Sequence, residues 1–312
     1  MPEPLEIATT PWSWSAIGSA DSLCRQAEDA EAMGFHSFWL PENHFGGRRA
    51  IPSPLTLLAA VAARTRKIKL GCTSYLLPIR HPLLAAEEVA VLDQLCGGRL
   101  ILGVGRGMQG DMFKAFGISP SDKRRLFLAH LDIMRRAWRG EPVVEGDNDE
   151  PIVLAPLPLQ QPSPPIWVAA FGPLALRQVA GLGLPYLASP MESLQVLAEN
   201  YQQYHQMVDE AGHPAVRTMP IMRSVFVTED STLATDARRA LARLVPAALQ
   251  DKAAGVEDWA IVGDQLYVRD KLSEYRECLA MSHLIVRAGL SGVTDEQQLH
   301  SHEQLLHIAS SL

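Results

Sequence analysis

The feature of this sequence that most restricts its fold is a repeated alternation of short, continuously apolar segments with longer amphipathic ones. Continuously apolar runs are typical of strands buried on both faces, and the segments between them place apolar residues at helical spacing. Helices are predicted over residues 19–33, from residue 53 onward and over residues 82–95. Eight strands are predicted, over residues 5–8, 35–40, 67–72, 100–104, 166–170, 185–189, 221–228 and 283–287.

Strands that alternate with helices in this way form a parallel sheet covered by helices. Eight such units in 312 residues fit a (β/α)₈ barrel of the TIM type with insertions. An open doubly wound sheet has the same periodicity and is the alternative. The proline-rich segment 151–165 is interpreted as a surface excursion rather than a domain linker, because the alternation resumes beyond it. We therefore predict one barrel domain over residues 1–312, with functional residues at the carboxyl ends of its strands.

Composition excludes several classes of function. The chain has 28 Lys and Arg against 35 Asp and Glu, a net charge of −7, and no basic block, which argues against nucleic-acid and anionic-membrane partners. Its four cysteines show no C-x-x-C spacing and no H-E-x-x-H occurs, so no metal site is predicted. The histidines at 300, 302 and 307 are expected on a solvated helix face. Without a signal-peptide pattern or a long apolar span, the protein is expected to be soluble and cytoplasmic.

A glycine-rich segment follows the fourth predicted strand. Gly105, Gly107 and Gly110 match G-x-G-x-x-G, but the dinucleotide fingerprint also requires an acidic residue about 20 positions on, at the end of a strand. Asp132 lies at about that distance inside a predicted helix, which disfavours a Rossmann site. Arg106 instead suits a site where backbone N–H groups and a guanidinium bind a phosphate.

Polar residues also follow the second and third predicted strands. Glu42, Asn43 and His44 offer a carboxylate, an amide and an imidazole for acid–base or hydrogen-bonding chemistry. Thr73 and Ser74 are small and polar enough to line a ligand. Taken alone, each segment also has an ordinary structural explanation as a loop.

Five segments in a fixed order carry a family resemblance. They are FWLPENHF at 38–45, TRKIKLG at 65–71, LPIRHP at 77–82, AEE at 86–88 with LD at 92–93, and GGRLILGVGRG at 97–107. By their order and spacing across residues 35–117, these segments resemble the bacterial-luciferase-like family of flavin-dependent monooxygenases and oxidoreductases, whose fold is a (β/α)₈ barrel. Beyond residue 166 the likeness is weaker and is carried by IWVA at 166–169 and VGD at 262–264.

The resemblance implies a flavin site with a cis peptide bond between two of its residues, Thr73 and Ser74. It implies that the cofactor phosphate is bound by Arg106, Arg124 and the backbone of the loop after the fifth predicted strand. This loop lacks the Glu or Ser side chains of some relatives. Asn43 stands where luciferases have the first histidine of Glu-His-His, so light emission is not expected, and Asn43 and His44 are the catalytic candidates. The implied cofactor-binding residues are Glu42, Thr73, Ser74, Gly105, Arg106, Gly107, Arg124, Ala170, Phe171 and Gly172.

The family's chemistry implies reduced FMN as a cosubstrate, supplied by a separate flavin reductase, and oxygenation of a small organic substrate by O₂. It also implies a dimer formed by the helices after strands two and three, for which a homodimer is expected and a heterodimer is the alternative. Small residues there allow either close approach of a second copy or burial against the same barrel: Ala59, Ala62, Ala85, Ala86 and Val89.

Two other functions remain open from the sequence. One is hydride transfer with the deazaflavin F420. Its extra carboxylates require basic residues at the entrance of the site, and Arg48–Arg49 or Arg124–Arg125 are the candidates. The other is a non-catalytic flavin-binding protein, since Asn43 departs from the luciferase pattern. The substrate is not readable from the loops that shape its pocket.

Overall fold

A computed structural model describes residues 4–13, 20–45, 47, 50–145, 150–245 and 255–312. The chain divides into two compact units, each discontinuous in sequence. Unit 1 comprises Met1–Ile17, Arg25–Trp39 and Ala170–Leu312, and unit 2 comprises Gly18–Cys24 and Leu40–Ala169. The single domain over residues 1–312 stays a prediction, and the candidate pair Arg48–Arg49 lies outside the described residues.

Strands and helices alternate along nearly the whole described chain. The strands are β1 (Glu6–Thr9), β2 (Ser37–Leu40), β3 (Lys69–Leu76), β4 (Leu100–Gly105), β5 (Val144–Glu145), β6 (Pro151–Ile152), β7 (Ile166–Ala169), β8 (Tyr186–Leu187), β9 (Pro220–Val227), β10 (Ala260–Gly263) and β11 (His283–Val286). The helices are α1 (Ala20–Met33), α2 (Pro54–Arg64), α3 (Pro82–Leu95), α4 (Gly110–Ala115), α5 (Lys123–Trp138), α6 (Pro173–Ala180), α7 (Leu194–Glu210), α8 (Ser231–Ala242), α9 (Gln265–Leu279) and α10 (Asp295–Ser310).

In unit 1 the strands lie in the order β10-β9-β11-β1-β2, and every pairing is parallel. All eight positions of β9 are buried, including Arg223. Burial on both faces explains why this strand has no polar–apolar alternation in the sequence. Beside it, a core cluster that includes Phe226, Trp259 and Val262 packs with helix α8.

In unit 2 the strands lie in the order β3-β4-β7, again all parallel. Helix α3 packs against both α2 and α5, and the indole N–H of Trp138 on α5 donates to the carbonyl O of Ala86 on α3 at 3.0 Å. Four of the small residues considered for a dimer contact are buried within the single chain: Ala62, Ala85, Ala86 and Val89. Burial against their own unit therefore accounts for these four residues.

The parallel pairings and the alternation confirm an α/β fold. The predicted helix over 82–95 is confirmed as α3, and the predicted helix over 19–33 is confirmed from residue 20 as α1, residue 19 lying outside the described residues. Each of the eight predicted segments contains a strand, although β3 runs on to Leu76 and β8 is only two residues long. The prediction missed β10, whose apolar run is too short to be distinguished from a loop. It also missed the antiparallel pair β5–β6.

The proline-rich segment lies within unit 2 and is attached to α3. The buried carboxylate of Asp93 accepts hydrogen bonds from the backbone N and the side-chain amide of Gln160, at 2.8 and 2.7 Å. The side chain of Gln94 also donates to the carbonyl O of Leu157 at 2.8 Å. These bonds support the interpretation as a surface excursion of one unit.

Arg99 connects two of the segments that carry the resemblance, 65–71 and 97–107. Its guanidinium donates to the carbonyl oxygens of Ala62, Thr65, Ile68 and Cys96, and to the hydroxyl of Thr65, with distances of 2.6–3.2 Å. It therefore joins the start of β4 to the segment before β3, which is a structural role.

The C-terminal helix corrects one expectation about histidines. His300 and His307 are exposed on α10 as predicted, but His302 is completely buried. Its ring lies edge-on to Trp12 and Phe35, with centroid distances of 5.2 and 5.1 Å. The weak amphipathic pattern of α10 does not reveal this, because the buried face also carries polar residues. Among the described residues, no helix combines the length and the apolarity that crossing a membrane requires.

Candidate active site

The loop after β2 is fixed by the buried carboxylate of Glu42. Its Oε1 lies 2.7 Å from His44 Nε2 and 2.7 Å from Arg80 Nη1, and its Oε2 accepts the N–H of Leu76 at 3.0 Å. Burial alone lowers the pKa of Arg80, but the charge of Glu42 raises it above the ordinary value. Because both oxygens of Glu42 already accept from protein donors, these bonds support a positioning role and give no support to cofactor binding by Glu42.

The two catalytic candidates have different surroundings. Asn43 Oδ1 accepts the N–H of Ile51 at 2.8 Å, so this amide closes its own loop. His44 is buried, and its ring lies edge-on to Phe116 at a centroid distance of 5.1 Å. The structure thus places an imidazole held by a carboxylate at the end of β2, where Asn43 mainly stabilises the backbone.

Two exposed aromatic residues beside His44 escaped the sequence analysis. Phe45 is 69% exposed and Phe116 is 41% exposed, and their ring centroids are 6.1 Å apart. Phe45 has a positive φ of 59°, a conformation uncommon for a bulky residue. The signal available in the sequence was an aromatic residue next to a polar cluster, at a predicted strand end.

A bulge at the end of β3 sets the position of Thr73 and Ser74. The register with β4 shifts between Cys72 and Tyr75, and Thr73 and Ser74 are the only residues of the bulge. Both are half-buried, whereas the strand residues around them are buried, and the peptide bond between them is cis, as the resemblance implies. These two side chains are therefore presented at the carboxyl end of the strand.

Packing or backbone conformation accounts for two of the three glycines of the G-x-G-x-x-G match. A Cβ on Gly105 would lie 2.1 Å from the hydroxyl of Ser74, so the close approach of β3 and β4 requires glycine there. Gly107 has a φ of 75°, whereas a Cβ on Gly110 would have no atom within 4 Å. Asp132 lies in the middle of α5, as predicted. The match is therefore not a dinucleotide fingerprint.

Arg106 is held at the end of β4 and is 7% exposed. Its Nη2 donates to the carbonyl O of Ala169 at 2.8 Å, and its guanidinium carbon lies 5.3 Å from the ring centroid of Phe127. Burial and the positive charge of Arg124 lower the pKa of Arg106 to about 10. The structure thus brings together two cations that the sequence places eighteen positions apart.

Lys123 is a third cation at this place, and the sequence analysis did not select it. Burial and the charges of Arg106 and Arg124 lower its pKa, and its Nζ lies 3.5 Å from the carbonyl O of Gly107. Lys123 and Arg124 begin α5, whose first turn has no acidic residue. Cations at a helix N-terminus add to the positive end of the helix dipole, so this end of β4 attracts anions.

The predicted phosphate loop Ala170–Gly172 belongs to unit 1. Ala170 N donates to the carbonyl O of Leu187 at 3.2 Å, Phe171 is exposed, and Gly172 is the N-cap residue of α6. Cofactor binding by these three residues stays a prediction.

Comparison with known proteins defines the class. The family model described as luciferase-like monooxygenase matches residues 7–282, so the chain belongs to this family. Limonene 1,2-monooxygenase of Rhodococcus erythropolis is 34% identical over 196 residues, 61% of this chain and 50% of that protein. The oxygenase component of the flavin-dependent trigonelline monooxygenase of Acinetobacter baylyi is 29% identical over 157 residues, 49% of this chain and 44% of that protein. The chain spans about half the length of the first curated relatives it matches.

Solved structures agree over nearly the whole chain. Monooxygenase RslO1 from Streptomyces bottropensis has a TM-score of 0.81 and 26% identity, covering 97% of this chain and 98% of that one. The oxygenating constituent of 3,6-diketocamphane monooxygenase from Pseudomonas putida, in complex with FMN, has a TM-score of 0.80 and 21% identity, with 99% of both chains covered. An F420-dependent secondary alcohol dehydrogenase shares the fold, with a TM-score of 0.79 and 15% identity over 98% and 99% of the chains.

Proposed function

We propose that this protein is a flavin-dependent monooxygenase that uses reduced FMN and O₂ to oxygenate a small organic substrate, on a closed (β/α)₈ barrel. The observation that carries the proposal is the convergence of Arg106, Lys123 and Arg124 at the end of β4, where, besides burial, the charge of Arg124 lowers the pKa of Arg106 and the charges of both arginines lower the pKa of Lys123. Such mutual repulsion is relieved by a dianion, and the phosphate of FMN supplies one.

The residues of unit 2 fit the cofactor at two places. Arg106, Lys123 and Arg124 would hold the phosphate, while Thr73 and Ser74 would face the ring. Ser74 can lie against β4 only because residue 105 has no side chain. When bound, reduced FMN supplies the electrons for O₂ activation, and the protein supplies binding, orientation and exclusion of water.

His44 is the residue that we propose to exchange a proton or a hydrogen bond with the reacting groups. Because the ionised Glu42 can only accept, the neutral ring of His44 carries its proton on Nε2, which leaves Nδ1 as an acceptor. Arg80, bonded to the same carboxylate oxygen, positions Glu42 and through it the imidazole. Asn43 contributes to the same site through its side-chain N–H₂ group.

An apolar surface next to His44 suits an organic substrate and the exclusion of water. It consists of two exposed side chains, Phe45 and Phe116, whose ring centroids are 6.1 Å apart. Large apolar groups exposed together at a strand end are typical of binding surfaces.

The cofactor assignment is tested by titrating the protein with FMN and with riboflavin, which lacks the phosphate. Arg106→Gln and Lys123→Gln are expected to weaken FMN binding about tenfold or more, and riboflavin binding much less, because each removes one charge-assisted contact. Arg125→Gln is the matched control, since Arg125 is exposed and lies 3.4 Å from the carboxylate of Asp122. Equal losses for FMN and riboflavin, or an equal loss in the control, would contradict the phosphate assignment.

The activity is tested by binding reduced FMN anaerobically, mixing with O₂ and recording absorbance over time. A transient spectrum that differs from reduced and oxidised flavin, and that outlasts the reoxidation of unbound reduced FMN, supports the proposal. His44→Gln is expected to shorten its lifetime. Immediate reoxidation with release of peroxide, across a substrate panel, indicates a non-catalytic flavin-binding protein instead.

F420 is tested by mixing the protein with each cofactor separately. Arg124 and Arg125 are one of the two arginine pairs considered for binding the carboxylates of F420. Of these two residues, Arg125 forms an ion pair with Asp122. Binding of F420 without binding of FMN would overturn the monooxygenase assignment.

Two partners follow from the proposal. A separate flavin reductase would supply reduced FMN, as the oxygenase component among the relatives suggests. A homodimer would cover the exposed apolar stripe of α3, formed by Leu84, Val91 and Leu95. Light scattering is expected to give twice the chain mass of 34.2 kDa, and Val91→Lys is expected to give the monomer. A monomeric wild-type protein would contradict this arrangement.

A further inference from the structure

Arg287 directly follows β11, and its main chain continues the parallel ladder of unit 1. Its N–H donates to the carbonyl O of Arg223 on β9 at 2.7 Å, and the N–H of Thr10 donates to the carbonyl O of Val286 at 3.0 Å. Arg287 therefore lies where two adjacent strands, β11 and β1, reach their carboxyl ends, beside the middle of β9. Ligands of parallel α/β folds bind at this end of the sheet.

The side chain of Arg287 leaves the sheet on the face opposite to the side chain of Arg223. Val286 is in register with Arg223, so their side chains project from the same face. On that face Arg223 reaches the hydroxyl of Tyr275 on α9. Because successive residues of a strand alternate between faces, Arg287 projects away from α9.

Arg223 shows how this unit accommodates an arginine with a structural role. Its Nε donates to the hydroxyl of Tyr275 at 2.8 Å, and its Nη1 donates to the carbonyl oxygens of Ser189 and Met222 at 3.2 and 3.0 Å. Its Nη2 donates to the carbonyl O of Glu192 at 2.7 Å. Every guanidinium nitrogen of Arg223 therefore has a protein acceptor.

The guanidinium of Arg287 differs from that of Arg223 at Nη1. Its Nη1 is buried and has no hydrogen-bond partner among the described residues, and burial lowers the pKa of Arg287. A buried charged donor is destabilising until an acceptor reaches it. The acceptor that matches a planar guanidinium fork is a carboxylate or a similar planar oxyanion.

We propose that Arg287 binds an anionic group of the organic substrate and so determines specificity for organic acids. The inference rests on the proposed monooxygenase function for there being an organic substrate at all. Its site residue belongs to unit 1, and its electrostatic role is separate from that of the phosphate-binding cations of unit 2.

The test measures binding to the full chain of two probe pairs that differ in charge, benzoate with benzamide and octanoate with octanamide, at constant ionic strength. The wild-type protein is expected to bind at least one acid about tenfold more tightly than its amide, and Arg287→Gln is expected to bring that ratio close to one. Arg269→Gln, an exposed change of the same charge, is the matched control and is expected to keep the wild-type ratio.

A wild-type protein that binds neither acid more tightly than its amide would refute the inference, and so would an unchanged ratio in Arg287→Gln. If the Gln variant does not fold, Arg287→Lys decides, because it keeps the charge and loses the planar fork. Its ratio is expected to fall about threefold or more, and an unchanged ratio counts against the inference. FMN titration of the same proteins separates the two proposals. A protein that binds the acid but not FMN would refute the proposed function and would not refute acid binding by Arg287.

Discussion

The buried His302 is expected to make this protein sensitive to mild acid. Its ring is enclosed by Trp12 and Phe35, its Nε2 accepts a hydrogen bond from the amide of Gln298 at 3.2 Å, and burial lowers its pKa from 6.5 to about 3. The folded protein therefore excludes a proton that the unfolded chain binds below about pH 6.5.

The sign and size of the effect follow from proton linkage. Above pH 6.5 neither state binds the proton, and His302 contributes no pH dependence. As the pH falls below 6.5, protonation stabilises the unfolded chain by ~1.4 kcal/mol per pH unit, about 2 kcal/mol at pH 5, until the folded pKa is reached.

The measurement is urea unfolding at pH 7, 6 and 5, followed by circular dichroism. His302→Leu, which keeps a similar volume, is expected to lose about 2 kcal/mol less than the wild-type protein between pH 7 and pH 5. His307→Gln, a change at an exposed position of the same helix, is the control and should keep the wild-type slope. A Leu variant with the wild-type pH dependence would show that His302 is not the titrating group.

Three further substitutions test the packing that supports the candidate site. Gly105→Ala is expected to cost ~1–3 kcal/mol in urea unfolding and to weaken FMN binding, because its Cβ would overlap Ser74, whereas Gly110→Ala, where nothing lies within 4 Å, should do neither. Arg99→Lys is expected to cost about 2 kcal/mol or more, since an ammonium cannot replace the fork that bonds to four carbonyl oxygens; a loss below ~0.5 kcal/mol would contradict that role. Asp93→Asn removes one of the two carboxylate oxygens that accept hydrogen bonds from Gln160, so proteolysis within residues 151–165 should accelerate relative to wild type, and an unchanged cleavage rate would count against the attachment.

The local features of the site followed from the sequence because they depend on neighbouring residues. Strand periodicity located Thr73, Ser74 and Arg106 at strand ends, and the family resemblance implied the cis bond that the structure shows. Arg124 was selected from the resemblance as well, and the structure places its charge beside Arg106.

The electrostatic partners of the site residues could not be predicted from the sequence, because they depend on which strand ends lie next to each other. Lys123 belongs to the cation cluster only through the position of α5, and Glu42 bonds to Arg80 only because the loop after β2 reaches the end of β3. No pattern within either segment contains that information.

The sequence by itself determined the alternation of strands and helices, the family and the chemistry offered at the strand ends, since these properties are local or repeat along the chain. Only the tertiary structure decided which polar groups are buried and which have partners. His302 lies in a helix whose pattern suggests solvent, yet it is buried, and Nη1 has acceptors in Arg223 but none among the described residues in Arg287. Burial and hydrogen bonding depend on atoms distant in the chain, so packing alone assigns these roles.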